Sequence, residues 1–163
     1  MKTIIVIVIA IGVFVLWYLL SYPTYTWHQK MTVEVETPEG VVSGSSVISA
    51  RVSYNATLGI PEAASSSDSV RGEATIVELP NGQYLFVLLG DPVAMAQHSF
   101  KEEILGSFDA KFVNMETYYP KLSELRAQAP LLRDRYPLFV TFDDLNDPAS
   151  VKEVNPDYLA GTF

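Results

Sequence analysis

Apolar residues are distributed along this chain in two ways, first as one continuous run and then in alternation with polar residues. The run from Thr3 to Leu20 contains 18 residues without a charge. A helix of that length spans roughly 27 Å at about 1.5 Å per residue, close to the ~30 Å hydrocarbon core of a bilayer. Within lipid, a single segment satisfies its backbone groups only as a helix. The run therefore predicts one transmembrane helix, with residues 3–20 in contact with the lipid bilayer.

Aromatic residues cluster at the end of this run and just beyond it. They are Trp17, Tyr18, Tyr22, Tyr25 and Trp27. Because such rings favour the headgroup layer, they predict an interfacial belt and an anchor that comprises residues 1–27. A cleaved signal peptide is the alternative. The run exceeds the usual ~7–15 apolar residues of a signal peptide, and no A-x-A-like cleavage site follows it, so we favour the anchor.

The charges that flank the run indicate its orientation. Lys2 and the α-amino group lie before it, and only Lys30 lies close after it. The positive-inside rule therefore favours a cytoplasmic N-terminus and export of the remaining domain, residues 28–163.

Alternation begins at Met31, so that ten residues, 21–30, separate the apolar run from the first predicted strand. Met31, Val33 and Val35 alternate with polar residues, as in a half-buried strand. Thr37–Gly40 has Pro and Gly placed for a tight turn. From Val42 to Tyr54 apolar and small residues fall mostly on one parity and serines on the other. These two runs predict a β-hairpin.

The remaining pattern predicts a second hairpin and several helices. A Ser-rich loop is expected over residues 55–70, followed by strands 73–79 and 83–89 around Pro80-Asn81-Gly82. The second of these strands is apolar on both parities and is expected to be central with both faces covered. A helix is predicted from Asp91 to Gly106, with an apolar stripe that consists of Val93, Ala96, Phe100 and Ile104. A second helix is predicted from Pro120 to Pro130. A strand over Leu138–Phe142 and a helical turn from Asn155 complete the pattern.

Together these elements indicate an α+β fold. We expect an antiparallel sheet of about five strands, with two or three helices packed on it, after the N-terminal helix.

Composition and charge remove several functional classes. The chain has 163 residues, a formal net charge of -8 and no cysteine. Nucleic acid is not an expected partner, because phosphate binding needs a basic face. Disulfides, thiolate metal sites and cysteine nucleophiles are excluded by the missing cysteine.

Few residues are candidates for chemistry. His28 lies in the aromatic cluster, and His98 lies four residues before Glu102, a spacing that suits a charge pair. The densest polar cluster contains Asp143, Asp144 and Asp147, which could bind a cation or act as acid and base, but EF-hand spacing is absent and a structural loop is favoured. Ser43–Ser46 does not match G-x-S-x-G. We therefore assign no catalytic, cofactor-binding or metal-ligating residue and expect no cofactor.

Two stretches, Thr26–Val52 (TWHQKMTVEVETPEGVVSGSSVISARV) and residues 139–156 (FVTFDDLNDPASVKEVNP), resemble a group of small proteobacterial proteins with no established activity. These proteins share an N-terminal hydrophobic segment followed by such a hairpin. The resemblance implies a bacterial origin, which together with the predicted anchor and its orientation indicates an inner-membrane protein with a periplasmic domain. It also implies relatives that continue past Phe163, so that a last strand would be missing here.

The function that these observations favour is a non-enzymatic, single-pass envelope protein, an accessory or scaffolding subunit of a larger membrane complex. One alternative is a carboxylate-dependent or metal-dependent envelope hydrolase that uses Asp143, Asp144 or Asp147. Another is a ligand-binding periplasmic domain with the 55–70 loop as a lid.

Overall fold

A computed structural model describes residues 2–54, 66–106 and 115–156 of the chain. The helices are α1 (Lys2–Ser21), α2 (Pro92–Ser99), α3 (Lys101–Leu105) and α4 (Met115–Glu124), and 3₁₀ turns cover Arg133–Arg135 and Pro148–Ser150. The strands are β1 (Thr24–Thr37), β2 (Gly40–Tyr54), β3 (Ser66–Arg71), β4 (Thr75–Glu78), β5 (Tyr84–Val87), β6 (Phe139–Phe142) and β7 (Val151–Glu153). The α+β fold class is confirmed. The described strands form two antiparallel sheets, in the orders β1-β2-β3 and β4-β5-β6-β7, rather than one sheet of about five.

Helix α1 is apolar on all sides. Its segment Thr3–Ser21 has a mean hydropathy of 2.9 and no residue buried against the rest of the chain. That length and composition suit a membrane-crossing helix, although a signal sequence shares them. Only Tyr22 and Pro23 separate α1 from β1, and the Tyr54 N–H donates to the Pro23 carbonyl at 3.2 Å. The connection is therefore two residues long, not the ten that the sequence pattern predicted.

Strands β1 and β2 form one long hairpin, in which Thr24 pairs with Ser53 and Thr37 with Gly40. Odd-numbered residues of β1 and even-numbered residues of β2 face the interior, which confirms the predicted alternation. Strand β1 begins at Thr24, seven residues before Met31. The predicted domain boundary at residue 27 thus falls within this strand.

Two hydrophobic cores lie along the inner face of this hairpin. The half next to α1 packs against the helices, and the half next to the turn packs against the second sheet. The helix-side core consists of Trp27, Ala50, Val52, Val93, Ala96, Ile104, Tyr118, Tyr119 and Leu122. The sheet-side core consists of Val35, Val77, Leu79, Leu85, Val87 and Phe139.

The structure divides the aromatic cluster that the sequence placed at the membrane interface. Trp17 and Tyr18 lie on α1 and are exposed, but Trp27 is only 5% exposed and belongs to the helix-side core. Its ring stacks on Tyr119 with centroids 5.9 Å apart, and Tyr25 stacks on the same ring at 6.1 Å. Trp27 is therefore a core residue and not part of an interfacial belt.

Both predicted helices have different limits. The first is interrupted at Phe100 (φ -113°, ψ 12°), which separates α2 from α3. The second begins at Met115 and contains Pro120, so the prediction that Pro120 starts it was wrong. A proline inside a helix costs about 3 kcal/mol. Burial of Tyr118 and Tyr119, directly before the proline, offsets that cost because both rings fill the helix-side core.

Two further predictions are corrected in the sheets. Residues 66–70, predicted to be loop, belong to β3, which pairs with Ser49–Tyr54 along the second edge of β2. Strand β5 is central, between β4 and β6, but only its Leu85 and Val87 face is fully buried. The loop residues 55–65 and the chain after Pro156, with most of the predicted terminal turn, lie outside the described residues.

The buried Tyr118 should make stability depend on alkaline pH. Its hydroxyl donates to the Gln97 carbonyl at 3.0 Å, and burial, with a smaller contribution from Tyr119, raises the pKa of Tyr118 to about 12. Because the unfolded pKa is about 10, the stabilisation is fully present below pH ~10 and is lost as pH rises through ~12. We expect the urea midpoint, followed by tryptophan fluorescence, to fall over this range. The fall should be smaller in Tyr118→Phe. An equal fall of the urea midpoint with pH in both proteins would contradict the assignment of this pH dependence to Tyr118.

Candidate interaction surfaces

The acidic loop after β6 uses its carboxylates to hold its own conformation. Asp143 forms a 2.6 Å ion pair with Lys152. Asp144 accepts from the Asn146 N–H and Asp147 from the Ala149 N–H, both at 2.9 Å. Within residues 2–54, 66–106 and 115–156, no three His, Asp or Glu side chains come together to hold a metal ion. These contacts favour the structural interpretation of this loop over a catalytic one.

The histidines and the Ser-rich run lie apart from this loop. His98 donates from Nδ1 to the Ala94 carbonyl at 2.7 Å, and the break at Phe100 separates it from Glu102. His28 is exposed on the outer face of β1. Ser46 points inward and bonds the Thr75 hydroxyl at 2.7 Å, whereas Ser43 and Ser45 are exposed. The structure does not bring these side chains together with Asp143, Asp144 or Asp147 in a common site.

The outer face of the second sheet is apolar. Ile76 of β4 pairs with Phe86 of β5, which pairs with Val140 of β6, so the three share one face. Phe142 and Val151 pair on the same side of β6 and β7. Ile76 is 50% and Val151 47% exposed, and the Phe86 and Phe142 rings meet edge to face at 5.3 Å. We call this surface the apolar sheet face. Acidic residues border it, since Glu78 and Glu153 occupy its corners.

Strand β1 has an open edge. Within the described parts of the chain, β2 is the only strand that pairs with it. The Pro23 carbonyl accepts from Tyr54, which shows that odd-numbered positions direct their backbone groups toward β2. Since these directions alternate in an antiparallel ladder, even-numbered residues point N–H and C=O toward the open side. Even-numbered side chains of β1 are also the exposed ones.

A groove of about 1110 Å³ runs beside this edge. One wall is the strand itself, from Thr26 to Thr32 and at Glu34. Consecutive residues of a strand point to opposite faces, so a groove lined by consecutive residues follows the strand edge. The opposite wall is formed by α2, the end of α4 and the segment that follows it, up to Leu131. There is thus unfilled space where another strand could pair with β1.

Neither surface was identified from the sequence alone. The both-parity apolar pattern of residues 84–89 indicated two covered faces, and the structure leaves one of them partly exposed. Nothing in the sequence around Ile76 or Val151 indicates that these side chains are exposed, because the order of the strands in the sheet decides which face is covered. The edge position of β1 likewise depends on long-range pairing. The sequence does show that charged residues occupy alternate positions of that strand.

Comparison with known proteins found no protein-family model, curated protein or solved structure that matches this chain. The resemblance to the proteobacterial group stays a prediction. Function is therefore inferred from the geometry of the chain itself.

Proposed function

We propose that this protein is a non-enzymatic, single-pass membrane protein of the bacterial inner membrane. Its N-terminus is cytoplasmic and its domain periplasmic, and it serves as an accessory or scaffolding subunit by binding another protein of the same membrane. The observation that carries this proposal is the apolar sheet face. On this face Ile76 and Val151 are exposed, Phe86 and Phe142 are half-buried and Val140 between them is buried, and contiguous apolar side chains of this kind mark interaction sites where they reach the surface.

The composition of the face supports a protein partner rather than lipid. Aromatic side chains at its centre and polar residues at its border match the anatomy of protein interfaces. Glu78 and Glu153 at its corners would be repelled by anionic headgroups. Helix α1 is long and apolar enough for an anchor and is joined to the domain by two residues, which supports a partner that lies close to the bilayer.

Charges placed on the apolar sheet face should release the partner. In Ile76→Lys and Val151→Lys, a lysine would be buried against the partner, and we expect at least a tenfold loss of association, about 1.4 kcal/mol or more. The measurement is extraction from native membranes in mild detergent, size separation and identification of co-migrating chains. Intact mass of the extracted chain reports whether residues 1–27 are retained.

The matched control is Val47→Lys, since Val47 is at least as exposed as Ile76 and Val151 but lies on the outer face of the first sheet. The proposal requires stoichiometric co-migration for the wild type and for Val47→Lys, and loss of co-migration for the two sheet-face variants. Migration of the wild type alone as a small particle would refute it.

A further inference from the structure

The exposed side chains of β1 form a self-complementary series of charges. Toward α1 lie two groups that can be cationic, His28 and Lys30, and toward the turn lie Glu34 and Glu36. Thr32 stands midway between the two pairs. None of these four charged side chains forms an ion pair with another described residue.

This series matches its own reverse in one register. If two copies of β1 pair antiparallel about Thr32, Lys30 lies opposite Glu34 of the second copy and His28 opposite Glu36. Two-fold symmetry repeats both contacts, so two Lys–Glu pairs of opposite charge and two His–Glu pairs form on one face. Opposite charges at directly facing positions stabilise a sheet, whereas like charges destabilise it.

Neighbouring registers are less favourable. A shift of two residues keeps only half of the charge pairs, since it places either His28 opposite Glu34 and Lys30 opposite Thr32, or Lys30 opposite Glu36 and Glu34 opposite Thr32. A shift of four residues places Lys30 opposite Lys30 in one direction and Glu34 opposite Glu34 in the other. A shift by one residue would turn each copy's exposed side chains toward the other copy's inner face. Charged residues on an edge also discourage strand addition in general. Here, their order makes the register about Thr32 the one in which His28, Lys30, Glu34 and Glu36 all face a partner of the opposite type.

The backbone geometry fits the same register. Residues 28, 30, 32, 34 and 36 are the even-numbered positions whose N–H and C=O groups point toward the open side. Paired about Thr32, they form the hydrogen-bonded pairs of an antiparallel ladder. On the inner face, half-buried Met31 lies opposite Val33 of the second copy, which adds an apolar contact in each half. The groove beside the edge has room for the incoming strand.

We propose that two copies of this chain associate through their β1 edges, antiparallel about Thr32, to give one continuous six-stranded sheet. This surface is separate from the apolar sheet face, so the dimer and the partner of the proposed function occupy different sites. Thr24 of the two copies would lie roughly 54 Å apart along the strands. The two α1 helices therefore leave the dimer at well-separated points, and if both cross one bilayer, the two-fold axis lies along its normal.

The missing cysteine allows a direct test by disulfide formation. In full-length protein in detergent micelles, Thr32→Cys should cross-link to its own copy under mild oxidation, because facing hydrogen-bonded residues have Cα atoms about 5.5 Å apart. Lys30→Cys should not cross-link to itself, since its own copies would be about 14 Å apart. A mixture of Lys30→Cys and Glu34→Cys chains should cross-link. Equal self-cross-linking of all positions, or none at Thr32→Cys, would overturn the proposal.

Charge reversal gives an independent readout of the register. Lys30→Glu should weaken the dimer about tenfold or more, measured by light scattering across a dilution series, because two attractive pairs become repulsive. The double variant Lys30→Glu with Glu34→Lys restores opposite charges and should recover wild-type association. An unchanged dimer in Lys30→Glu, or no recovery in the double variant, would contradict this register. Ile76→Lys should leave the Thr32→Cys cross-link intact, which separates failure of the dimer from failure of the proposed function.

Discussion

Trp27→Ala lowers the free energy of unfolding by about 3–5 kcal/mol, which is the range for removal of a large buried aromatic side chain. The indole of Trp27 is buried in the helix-side core, stacks on Tyr119 and donates from Nε1 to Gln29 at 3.0 Å. Its removal opens a cavity between β1 and α4. Stability of natural domains is only about 5–15 kcal/mol, so roughly a fifth or more of it is lost. Thermal unfolding of the full chain in detergent, followed by far-UV circular dichroism, should show a fall on the order of 10 °C.

Trp17 provides the matched control, since it is the chain's other tryptophan and lies exposed on α1. Trp17→Ala should leave the unfolding temperature of the domain unchanged. If both variants lowered it equally, Trp27 would not have the core role assigned to it.

Gly44→Ala should destabilise the domain by about 1–3 kcal/mol or more, the range for overpacking of a filled core. Strand β4 crosses β2 at this glycine. A Cβ at Gly44 would overlap the carbonyl oxygen of Ile76 and lie 3.2 Å from Cγ2 of Val77. Because a backbone carbonyl cannot rotate away as a side chain can, the two sheets must separate. The Ser46–Thr75 hydrogen bond beside the crossing would lengthen with them.

Ser45→Ala is the appropriate comparison, because Ser45 is the next residue and points to solvent. Urea unfolding followed by tryptophan fluorescence should show a lower midpoint for Gly44→Ala and an unchanged midpoint for Ser45→Ala. A wild-type midpoint in Gly44→Ala would mean that the sheets do not approach each other as closely as described.

Local patterns predicted the elements whose burial follows from neighbours in sequence. The inward-facing residues of β1 and β2 were predicted correctly, because a two-stranded ladder with a tight turn fixes which alternate residues face inward. Trp27 was misassigned, since proximity to the apolar run outweighed its parity. Yet Tyr25 and Trp27 continue the odd-numbered inward series of Met31, so the strand period already contained the correct signal.

The features that the sequence did not predict depend on packing between residues far apart in the chain. Pro120 normally indicates the start of a helix, but two tyrosines that fill a distant core extend α4 through it. Nothing local indicates that residues 66–70 pair with β2, because their polar side chains suit a loop equally well. The division of the strands between two sheets, and with it the open edge and the apolar sheet face, depends on contacts between residues far apart in sequence. The local hydrogen bonds of the acidic loop follow from its turn-forming Asp and Asn residues, which act on near neighbours and are therefore visible in the sequence.

The two-residue connection between α1 and β1 has a thermodynamic consequence for association in a membrane. A domain on a long flexible tether tumbles freely and loses that rotational freedom when it binds. Here the helix is followed after Tyr22 and Pro23 by a ladder that already includes the Pro23 carbonyl. Insertion of the helix would therefore fix the tilt and height of the domain before any partner arrives. Part of the entropy lost on association is then lost in advance, so a contact surface of modest size can hold a neighbour in the same bilayer.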